Sequence, residues 1–581
     1  MSIPSASLNS LWGSLIIEEL IRCGVDFFCI SPGSRSTPLT VAVARNPGAR
    51  KLICHDERGA AFQALGYARG SGRPAALICT SGSAAANYYP AIIEAEREQL
   101  PLIILSADRP PELRDTGANQ TIVQPGMYAR YVKWHFDLPC PSEALPPVMV
   151  LTTVDQLVYQ ARNAPGGPVQ LNCMFREPLG PAEIAPPADL QGWRAHDRPY
   201  TVYAERVSRP SAEDIDRVGA LLSDARKGVL AVGRLAGPAE REAVCELADR
   251  LGWPVFADIT SGLRLVKGKL PLVHFFDQVL LSDKVTAGLQ PDLVLHLGGQ
   301  ILSKRWQAFL EKHPPQHLLQ VQHHPRRHDP AHLGGFRLES DIPAFCEAIG
   351  FFAPGSADET RRQKWLRLSQ QVETMIANPL PSDEPVSEIS AAMLISREIA
   401  PGSGLYLAAS MPVRDMDMYG LPGSGAIVGA NRGASGIDGT IASAVGFAFG
   451  LARPVTLMIG DLAALHDLNS LALLANATQP VIVVVLNNRG GGIFSFLPVA
   501  AEADVFETYF ATPHNYEFRQ AAAMFGLPYH RTVTNGDFIT SYREAQQSGK
   551  SAIIEIISDR EVNLRLHRQL QQQIIETLEN R

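Results

Sequence analysis

The sequence has 581 residues, of which 46% are hydrophobic and 19% charged, and at ~150 residues per domain its length predicts three or four domains. The net charge of −7 provides no basic field for nucleic acid, and no apolar run approaches the roughly 20 residues that span a bilayer. The 8 cysteines form no Cys-x-x-Cys pair, and residues 1–10 lack the basic and apolar regions of a secretory signal. We therefore expect a cytoplasmic protein with reduced thiols.

The first part of the sequence alternates short apolar runs with stretches of helical character. Continuous apolar strands separated by helices are typical of a parallel, doubly wound sheet that is covered on both faces. The predicted strands are residues 26–31, 51–55, 75–81 and 101–107, and the predicted helices are 39–45, 57–69 and 83–98.

The same alternation recurs in the middle and in the last part of the chain. Polar, proline-rich stretches at 178–210, 353–358 and 378–385 predict a linker and two loops, the loops flanking a helix at 361–376. The remaining predicted strands are 228–233, 254–258, 292–298, 317–322, 404–410, 455–460, 480–486 and 551–557, and the remaining predicted helices are 433–450, 465–475 and 561–581. The sequence therefore predicts three α/β domains, each a doubly wound parallel sheet, at 1–185, 200–355 and 380–581.

Polar residues follow two successive apolar strands of the last domain. Gly460-Asp461 ends the first strand, and Asn487-Asn488 followed by Gly490 ends the second. Ligands of open α/β sheets bind at this carboxyl edge, and Mg²⁺ prefers oxygen ligands. The Asp461 carboxylate, the Asn488 amide oxygen and the Gly490 carbonyl therefore predict a Mg²⁺ site that also takes phosphate oxygens and water. Either segment alone is better explained as an ordinary turn, and the two in this order favour the metal site.

The Gly-Asp pair, with Asn488 placed 27 residues after Asp461, resembles the motif of the decarboxylase and synthase superfamily that binds thiamine diphosphate (ThDP). The resemblance implies ThDP with Mg²⁺ or Mn²⁺, contacts from Gly460 and Leu462, and a large aliphatic residue, Ile437, beneath the bent cofactor. It also implies that the base and the diphosphate site come from different subunits, so that the active form is a homodimer or a homotetramer.

Glu57, in His55-Asp56-Glu57-Arg58, occupies the place of the superfamily's glutamate at the start of the helix after the second strand. Such a carboxylate favours the imino tautomer of the aminopyrimidine ring, whose nitrogen then removes the thiazolium proton. A glutamate in the first turn of a helix is also favoured by the helix dipole alone.

Four further segments resemble the 2-succinyl-5-enolpyruvyl-6-hydroxy-3-cyclohexene-1-carboxylate (SEPHCHC) synthase family of menaquinone and phylloquinone biosynthesis. They are Ser-Pro-Gly-Ser-Arg-Ser-Thr-Pro at 31–38, Ser-Ala-Asp-Arg-Pro-Pro at 106–111, Gly-Ala-Asn-Gln-Thr-Ile at 117–122 and Arg-Gly-Ala-Ser-Gly-Ile-Asp-Gly at 432–439. The resemblance implies a transferase that decarboxylates 2-oxoglutarate on ThDP and adds the resulting succinyl carbanion equivalent to isochorismate in a 1,4-fashion.

Both substrates of that family carry two carboxylates, which arginine forks bind well. Each arginine alone also fits a solvated surface charge or an ion pair, and their shared place at strand ends favours the functional interpretation. The resemblance assigns to the isochorismate side Arg35, Arg109, Gln120, Lys304 and Arg305. It assigns to the 2-oxoglutarate side Ser410, Arg414 and Arg432, and to an apolar wall Ile493, Phe494 and Leu497.

Two alternatives remain open at this point. One is another ThDP enzyme, of the 2-oxoacid decarboxylase or acetohydroxyacid synthase type. The latter type often carries FAD in its middle domain, and the only glycine-rich candidate loop here, at 233–237, is a weak match. The other is a catalytically silent ThDP-fold subunit, which the joint presence of Glu57, Asp461 and Asn488 disfavours.

Overall fold

The computed structural model describes residues 4–182, 187–352, 355 and 357–580, with only the backbone of Ala188. In these residues the strands form three sheets, and every strand pair for which a register is defined is parallel. This confirms the predicted α/β class with three parallel sheets. Among the described helices, none is both long and apolar enough to cross a bilayer.

The first sheet has the strand order β2-β1-β3-β4-β6-β5. Its strands are β1 Phe27–Ile30, β2 Arg50–Ile53, β3 Ala75–Cys79, β4 Leu102–Asp108, β5 Trp134–Leu138 and β6 Val169–Met174. The accompanying helices are α1 Ser5–Arg22, α2 Thr37–Arg45, α3 Glu57–Ser71, α4 Ser83–Ala86, α5 Tyr89–Glu98, α6 Val148–Arg162 and α7 Gln191–Arg194.

The second sheet has the strand order β11-β10-β9-β7-β8. Its strands are β7 Val229–Val232, β8 Val255–Ala257, β9 Leu293–Leu297, β10 His317–Gln322 and β11 Phe336–Glu339. The helices of this part are α8 Ala212–Asp224, α9 Pro238–Leu251, α10 Phe276–Val279, α11 Asp283–Thr286, α12 Lys304–Lys312, α13 Ile342–Ala348 and α14 Glu359–Ile376.

The third sheet has the strand order β13-β12-β14-β15-β17-β16. Its strands are β12 Gly404–Leu407, β13 Ile427–Ala430, β14 Val455–Gly460, β15 Val481–Asn487, β16 Tyr529–Thr532 and β17 Ala552–Ile557. The helices are α15 Glu388–Glu398, α16 Met411–Tyr419, α17 Thr440–Leu451, α18 Asp461–His466, α19 Leu471–Ala475, α20 Ala503–Phe506, α21 Arg519–Met524, α22 Asn535–Ser548 and α23 Arg560–Glu579.

The chain divides into two compact units that interleave along the sequence. The first unit holds Met1–Arg206, Asn431–Arg453 and Leu465–Val481, and the second holds Val207–Ala430, Pro454–Ala464 and Ile482–Arg581. Helix α17, which follows β13 in the chain, therefore belongs to the first unit. The domain limits predicted from the sequence stay predictions.

The core of the first unit lies on both faces of its sheet. Successive strand residues point to opposite faces, so Phe28 and Ile30 join the cluster with α1, α2 and α6, whereas Phe27 and Cys29 join the cluster with α3 and α5. Helix α17 packs closely on α3, because Gly446 lets the backbones meet: a Cβ atom there would lie 1.9 Å from the Gln63 carbonyl oxygen.

Three predicted helices differ in the structure. The predicted helix 83–98 is two helices, α4 and α5, and Pro90, which has no backbone N–H to donate, lies in the first turn of α5. The predicted helix 433–450 begins only at Thr440, after Gly439 in the left-handed region at φ 60°. The predicted helix 465–475 is interrupted at Asp467, whose φ of −115° and ψ of 27° are not helical.

The stretch 178–210, predicted as a linker, contains helix α7 and a buried anchor. Trp193 is only 7% exposed, and its ring lies 3.9 Å from the Arg22 guanidinium carbon. The linker prediction was therefore wrong for this part, because an aromatic residue packed on α1 holds it. Residues 183–186 of this stretch, and residues 353, 354 and 356 of the predicted loop 353–358, lie outside the described residues.

Candidate active site

Asp461 begins α18 directly after β14, and it is 2% exposed. Its Oδ1 accepts a hydrogen bond from the Leu462 N–H at 2.7 Å, and its Oδ2 accepts one from the Gly490 N–H at 2.9 Å. His514 Nε2 lies 3.3 Å from the same Oδ2. Burial raises the pKa of Asp461, and a bound cation would favour the charged form again.

Asn488 follows β15, next to β14 in the sheet. Its Nδ2 donates to Glu388 Oε1 at 2.8 Å, while its Oδ1 is buried without a hydrogen-bond partner. Glu388, in the first turn of α15, is 1% exposed, and its burial raises its pKa to about 7. A buried amide oxygen without a hydrogen-bond partner costs folding free energy, so this atom is a good candidate for a ligand to a bound cation.

Only glycine fits at position 490, in the loop that follows β15. Gly490 has a φ of +153°, and a Cβ atom there would lie 2.2 Å from the Ala511 carbonyl oxygen. The predicted metal ligands Asp461, Asn488 and Gly490 thus meet in the second unit, where Gly490 N–H bonds Asp461. A carboxylate, a free amide oxygen and an adjacent backbone loop fit a hard divalent cation with a diphosphate.

The predicted apolar wall follows the same loop. A 3-10 helix spans Gly492–Phe496, and it contains Ile493 and Phe494, both half-buried. The Phe494 ring contacts that of Phe510, with the centroids 5.8 Å apart. Leu497 ends the helix and is 40% exposed, so an apolar side chain faces solvent after the Gly490 loop.

Glu57 is the first residue of α3 in the first unit. The preceding residue, Asp56, caps this helix by accepting from the Arg58 N–H at 2.9 Å, so Glu57 itself is not needed as a cap. The half-buried Glu57 accepts one hydrogen bond at Oε2 from Asn87 Nδ2 at 3.1 Å. Asn87 lies at the break between α4 and α5, so the helix break supplies a donor that restrains the glutamate.

Arg35 and Arg109 both belong to the first unit, and burial, together with the charge of Arg109, lowers the pKa of Arg35. Arg35 is 3% exposed and donates to the Phe175 carbonyl at 2.7 Å and to Glu177 Oε1 at 3.0 Å. Gln120, exposed and at φ 54°, lies beside Gly82 after β3. The structure thus brings together two predicted arginines, one already engaged by protein groups.

The predicted substrate residues of the second unit divide between α12 and α16. Lys304 is exposed, whereas Arg305 is ion-paired with the buried Asp277. Ser410 does not end a strand as predicted, because β12 stops at Leu407. Ser410 instead stands before α16 at φ 72°, and its carbonyl accepts from Arg414.

Arg432 and Ile437 lie in the segment before α17, in the first unit. Arg432 is half-buried, and Ile437 is 37% exposed. Sequence reasoning missed the residues that support these sites, among them Glu388, Asn87 and His514. These residues bind partners that are distant in sequence, and asparagine is also common in turns. No local sequence pattern therefore identifies them.

Three family models match the chain. They are the thiamine pyrophosphate enzyme N-terminal TPP binding domain at residues 12–127, the middle domain of thiamine pyrophosphate at 187–407, and the thiamine pyrophosphate enzyme C-terminal TPP binding domain at 423–556. Thiamine pyrophosphate is ThDP, and the last model contains both Asp461 and Asn488.

Relatives named 2-succinyl-5-enolpyruvyl-6-hydroxy-3-cyclohexene-1-carboxylate synthase match over nearly the whole chain. The one from Rubrobacter xylanophilus is 48% identical over 97% of this chain and 98% of its own length. Those from Prosthecochloris aestuarii and Chlorobium phaeobacteroides are 46% and 45% identical, over 98% of this chain and 98% of their own lengths. This chain belongs to the SEPHCHC synthase family.

Membership of the SEPHCHC synthase family confirms the resemblance that the four sequence segments carry. It also makes the chain a ThDP-dependent enzyme, so the prediction of an enzyme of this class is confirmed and the silent-subunit alternative is disfavoured. The individual roles of the site residues stay predictions. The structure adds the positions and contacts of these residues.

Proposed function

We propose that this chain decarboxylates 2-oxoglutarate and adds the remaining four-carbon unit to isochorismate, giving SEPHCHC for menaquinone or phylloquinone biosynthesis. The observation that carries the proposal is the near full-length identity of 45–48% to relatives named for this product. When bound, ThDP supplies the nucleophilic carbon and the electron sink that this reaction needs. The residues of the chain bind, orient and protect the reactants.

The metal of this proposal is Mg²⁺ or Mn²⁺. Asp461 and Asn488 provide oxygen ligands, and the carbonyl of Gly490 completes the protein's share. The orphaned Oδ1 of Asn488 supports this assignment, because its amide is already turned by the bond to Glu388. Phosphate oxygens and water take the remaining positions.

Glu57 has the role of holding a proton at the aminopyrimidine ring. With the cofactor bound, its carboxylate would keep the ring in the tautomer whose nitrogen can act as the base. Asn87 restrains one oxygen of Glu57 by its hydrogen bond at 3.1 Å. We further propose a homo-oligomer, at least a dimer, in which Glu57 of one subunit serves the cofactor held by the partner subunit.

The arginines bind the substrate carboxylates. A substrate dianion placed against Arg35 and Arg109, together with Gln120, would offset the unfavourable charge of Arg109 at Arg35. Lys304 and Arg305 add positive charge for isochorismate. Bound 2-oxoglutarate is assigned to a second set of residues, namely Ser410, Arg414 and Arg432. Ile493, Phe494 and Leu497 exclude water, which favours loss of CO₂.

The acetohydroxyacid synthase type is the alternative, and it is disfavoured because the near full-length relatives are named for a different product. In the order β11-β10-β9-β7-β8, the switch point lies between β7 and β9. The loops after these strands pack on each other, because a Cβ atom at Gly233 would lie 1.8 Å from the Gly299 carbonyl oxygen. The two loops are therefore in direct contact at the switch point.

The test is an assay with purified chain, ThDP, Mg²⁺, 2-oxoglutarate and isochorismate, followed by the loss of isochorismate absorbance. We expect this loss only when 2-oxoglutarate is present. Turnover of pyruvate in its place would instead favour the acetohydroxyacid synthase alternative. Persistent isochorismate absorbance with cofactor-loaded protein would refute the proposal. A cytoplasmic location is also proposed, in keeping with eight cysteines that are all free thiols.

A further inference from the structure

The segment 431–439, which we call the Arg432 loop, carries two predicted site residues and is anchored by a buried carboxylate. Glu94 of α5 is 2% exposed. It accepts hydrogen bonds from the backbone N–H groups of Gly433 at 2.9 Å and Ala434 at 2.6 Å. Both donors directly follow Arg432, so the bonds fix the backbone from which the Arg432 side chain extends.

The far end of the same loop is anchored by a second buried carboxylate. Gly439 precedes α17 and has no side chain to cap the first N–H groups of this helix. Asp467, 1% exposed, replaces the missing cap by accepting from the Ile441 N–H at 2.7 Å and the Ala442 N–H at 3.1 Å. Ile437 lies between the two anchors.

The contact between the loop and α5 leaves no spare volume. A Cβ atom at Gly433 would lie 2.7 Å from Arg97 Cβ and 3.0 Å from the Glu94 carbonyl oxygen. The loop backbone therefore lies directly on α5, and only glycine fits at this point. A displacement of the backbone at Gly433 and Ala434 would break both bonds to Glu94.

Glu94 and Glu98, one turn apart on α5, share the positive charge of Arg69. Arg69 lies 3.8 Å from Glu94 and 3.0 Å from Glu98. Burial and the charge of Glu98 raise the pKa of Glu94. A carboxylate in such surroundings is costly, and backbone donors are what offsets the cost.

We propose that Glu94 is a positioning residue, which holds the Arg432 loop so that Arg432 and Ile437 face the reactants. This inference rests on the proposed function, in which Arg432 binds 2-oxoglutarate and Ile437 supports the cofactor. Glu94 itself is assigned no contact with 2-oxoglutarate or with the cofactor. Its effect on the reaction is transmitted through the two backbone bonds to Gly433 and Ala434.

The test compares Glu94→Gln with Glu98→Gln. Each removes one buried carboxylate beside Arg69, and Glu94 is the one that accepts from the backbone N–H groups of Gly433 and Ala434. Glu94→Gln loses charge-assisted bonds, so we expect the KM for 2-oxoglutarate to rise roughly ten- to a hundredfold while the KM for isochorismate changes little. Glu98→Gln should keep both constants near those of the original chain, and thermal unfolding of both variants reports any shared loss of stability.

A second readout does not depend on activity. Amide hydrogen exchange of the cofactor-free protein should be faster in peptides covering 431–439 for Glu94→Gln and unchanged for Glu98→Gln. Equal effects of the two substitutions, or a KM for 2-oxoglutarate that stays constant in Glu94→Gln, would overturn the inference. If the original chain consumes no isochorismate, the proposed function fails, and the exchange experiment still decides whether Glu94 holds the loop.

Discussion

Asn488 turns its amide N–H toward Glu388, with 2.8 Å between Nδ2 and Oε1, and thereby leaves its Oδ1 buried and unpartnered. One hydrogen bond thus fixes which end of the amide is available to a cation. Groups that orient a metal ligand typically contribute 10–100-fold to metal affinity.

Removing this orienting carboxylate should weaken cofactor binding. We expect Glu388→Ala to lower the affinity for Mg²⁺ with ThDP by roughly 10–100-fold, measured by titration calorimetry. Ser558→Ala is the matched control, because Ser558 Oγ bonds the same Glu388 oxygen, at 3.4 Å, but not Asn488. Unchanged affinity in Glu388→Ala would show that Asn488 needs no such support.

Gly490→Ala should disrupt the Gly490 loop through steric conflict. The new Cβ would lie 2.2 Å from the Ala511 carbonyl, at a φ of +153°. We expect a lower melting temperature and little ThDP binding. Gly526→Ala separates the two causes, since Gly526 also has a positive φ, of 67°, but nothing within 4 Å of its Cβ position. If both variants bind ThDP equally, the close approach at Gly490 is not required.

Glu57→Gln should separate binding from catalysis. The amide keeps the size of the side chain but removes the charge that favours the imino tautomer, so we expect near-normal ThDP affinity and turnover lowered by at least ~10²-fold. Asn87→Ala, which removes only the bond at 3.1 Å, should lower turnover less. Full activity of Glu57→Gln would remove Glu57 from its role.

Glu19 makes the stability of the first unit depend on pH. It is fully buried on α1, where it accepts from Trp193 Nε1 and the Tyr200 N–H, each at 2.5 Å. Burial and the hydrogen bond to Asp155 raise its pKa from 4.5 to about 8. The folded state therefore holds one more proton than the unfolded state across this window, and the free energy of unfolding falls as the pH rises through it.

Glu19→Gln should flatten this dependence. We expect urea unfolding at pH 6 and at pH 8.5 to give a smaller difference for Glu19→Gln than for the original chain. Glu18→Gln, the half-exposed neighbour that pairs with Arg22, is the control and should keep the original slope. Identical slopes in all three proteins would contradict the assignment.

The buried strands were predictable where apolar residues are continuous, as in β14 and β15. Five other strands were missed, for two reasons. Edge strands are short and partly exposed, so their residues show no continuous apolar run. β6 is wholly buried but contains Gln170 and Asn172, which bond Ser106 and hide the apolar pattern. The missed strands are Trp134–Leu138, Val169–Met174, Phe336–Glu339, Ile427–Ala430 and Tyr529–Thr532.

The sequence by itself determined the ThDP-enzyme family, the three sheets and the order Asp461, Asn488, Gly490. Those features depend on short segments at the ends of apolar strands, and neighbouring strands bring such ends together. Only the tertiary structure decided how the ligands and loops are held. Glu388 lies 100 residues from Asn488, and Glu94 lies 339 residues from Gly433. The hydrogen-bond donors of a buried carboxylate are brought to it by folding from distant parts of the chain. No local pattern in the sequence therefore identifies them.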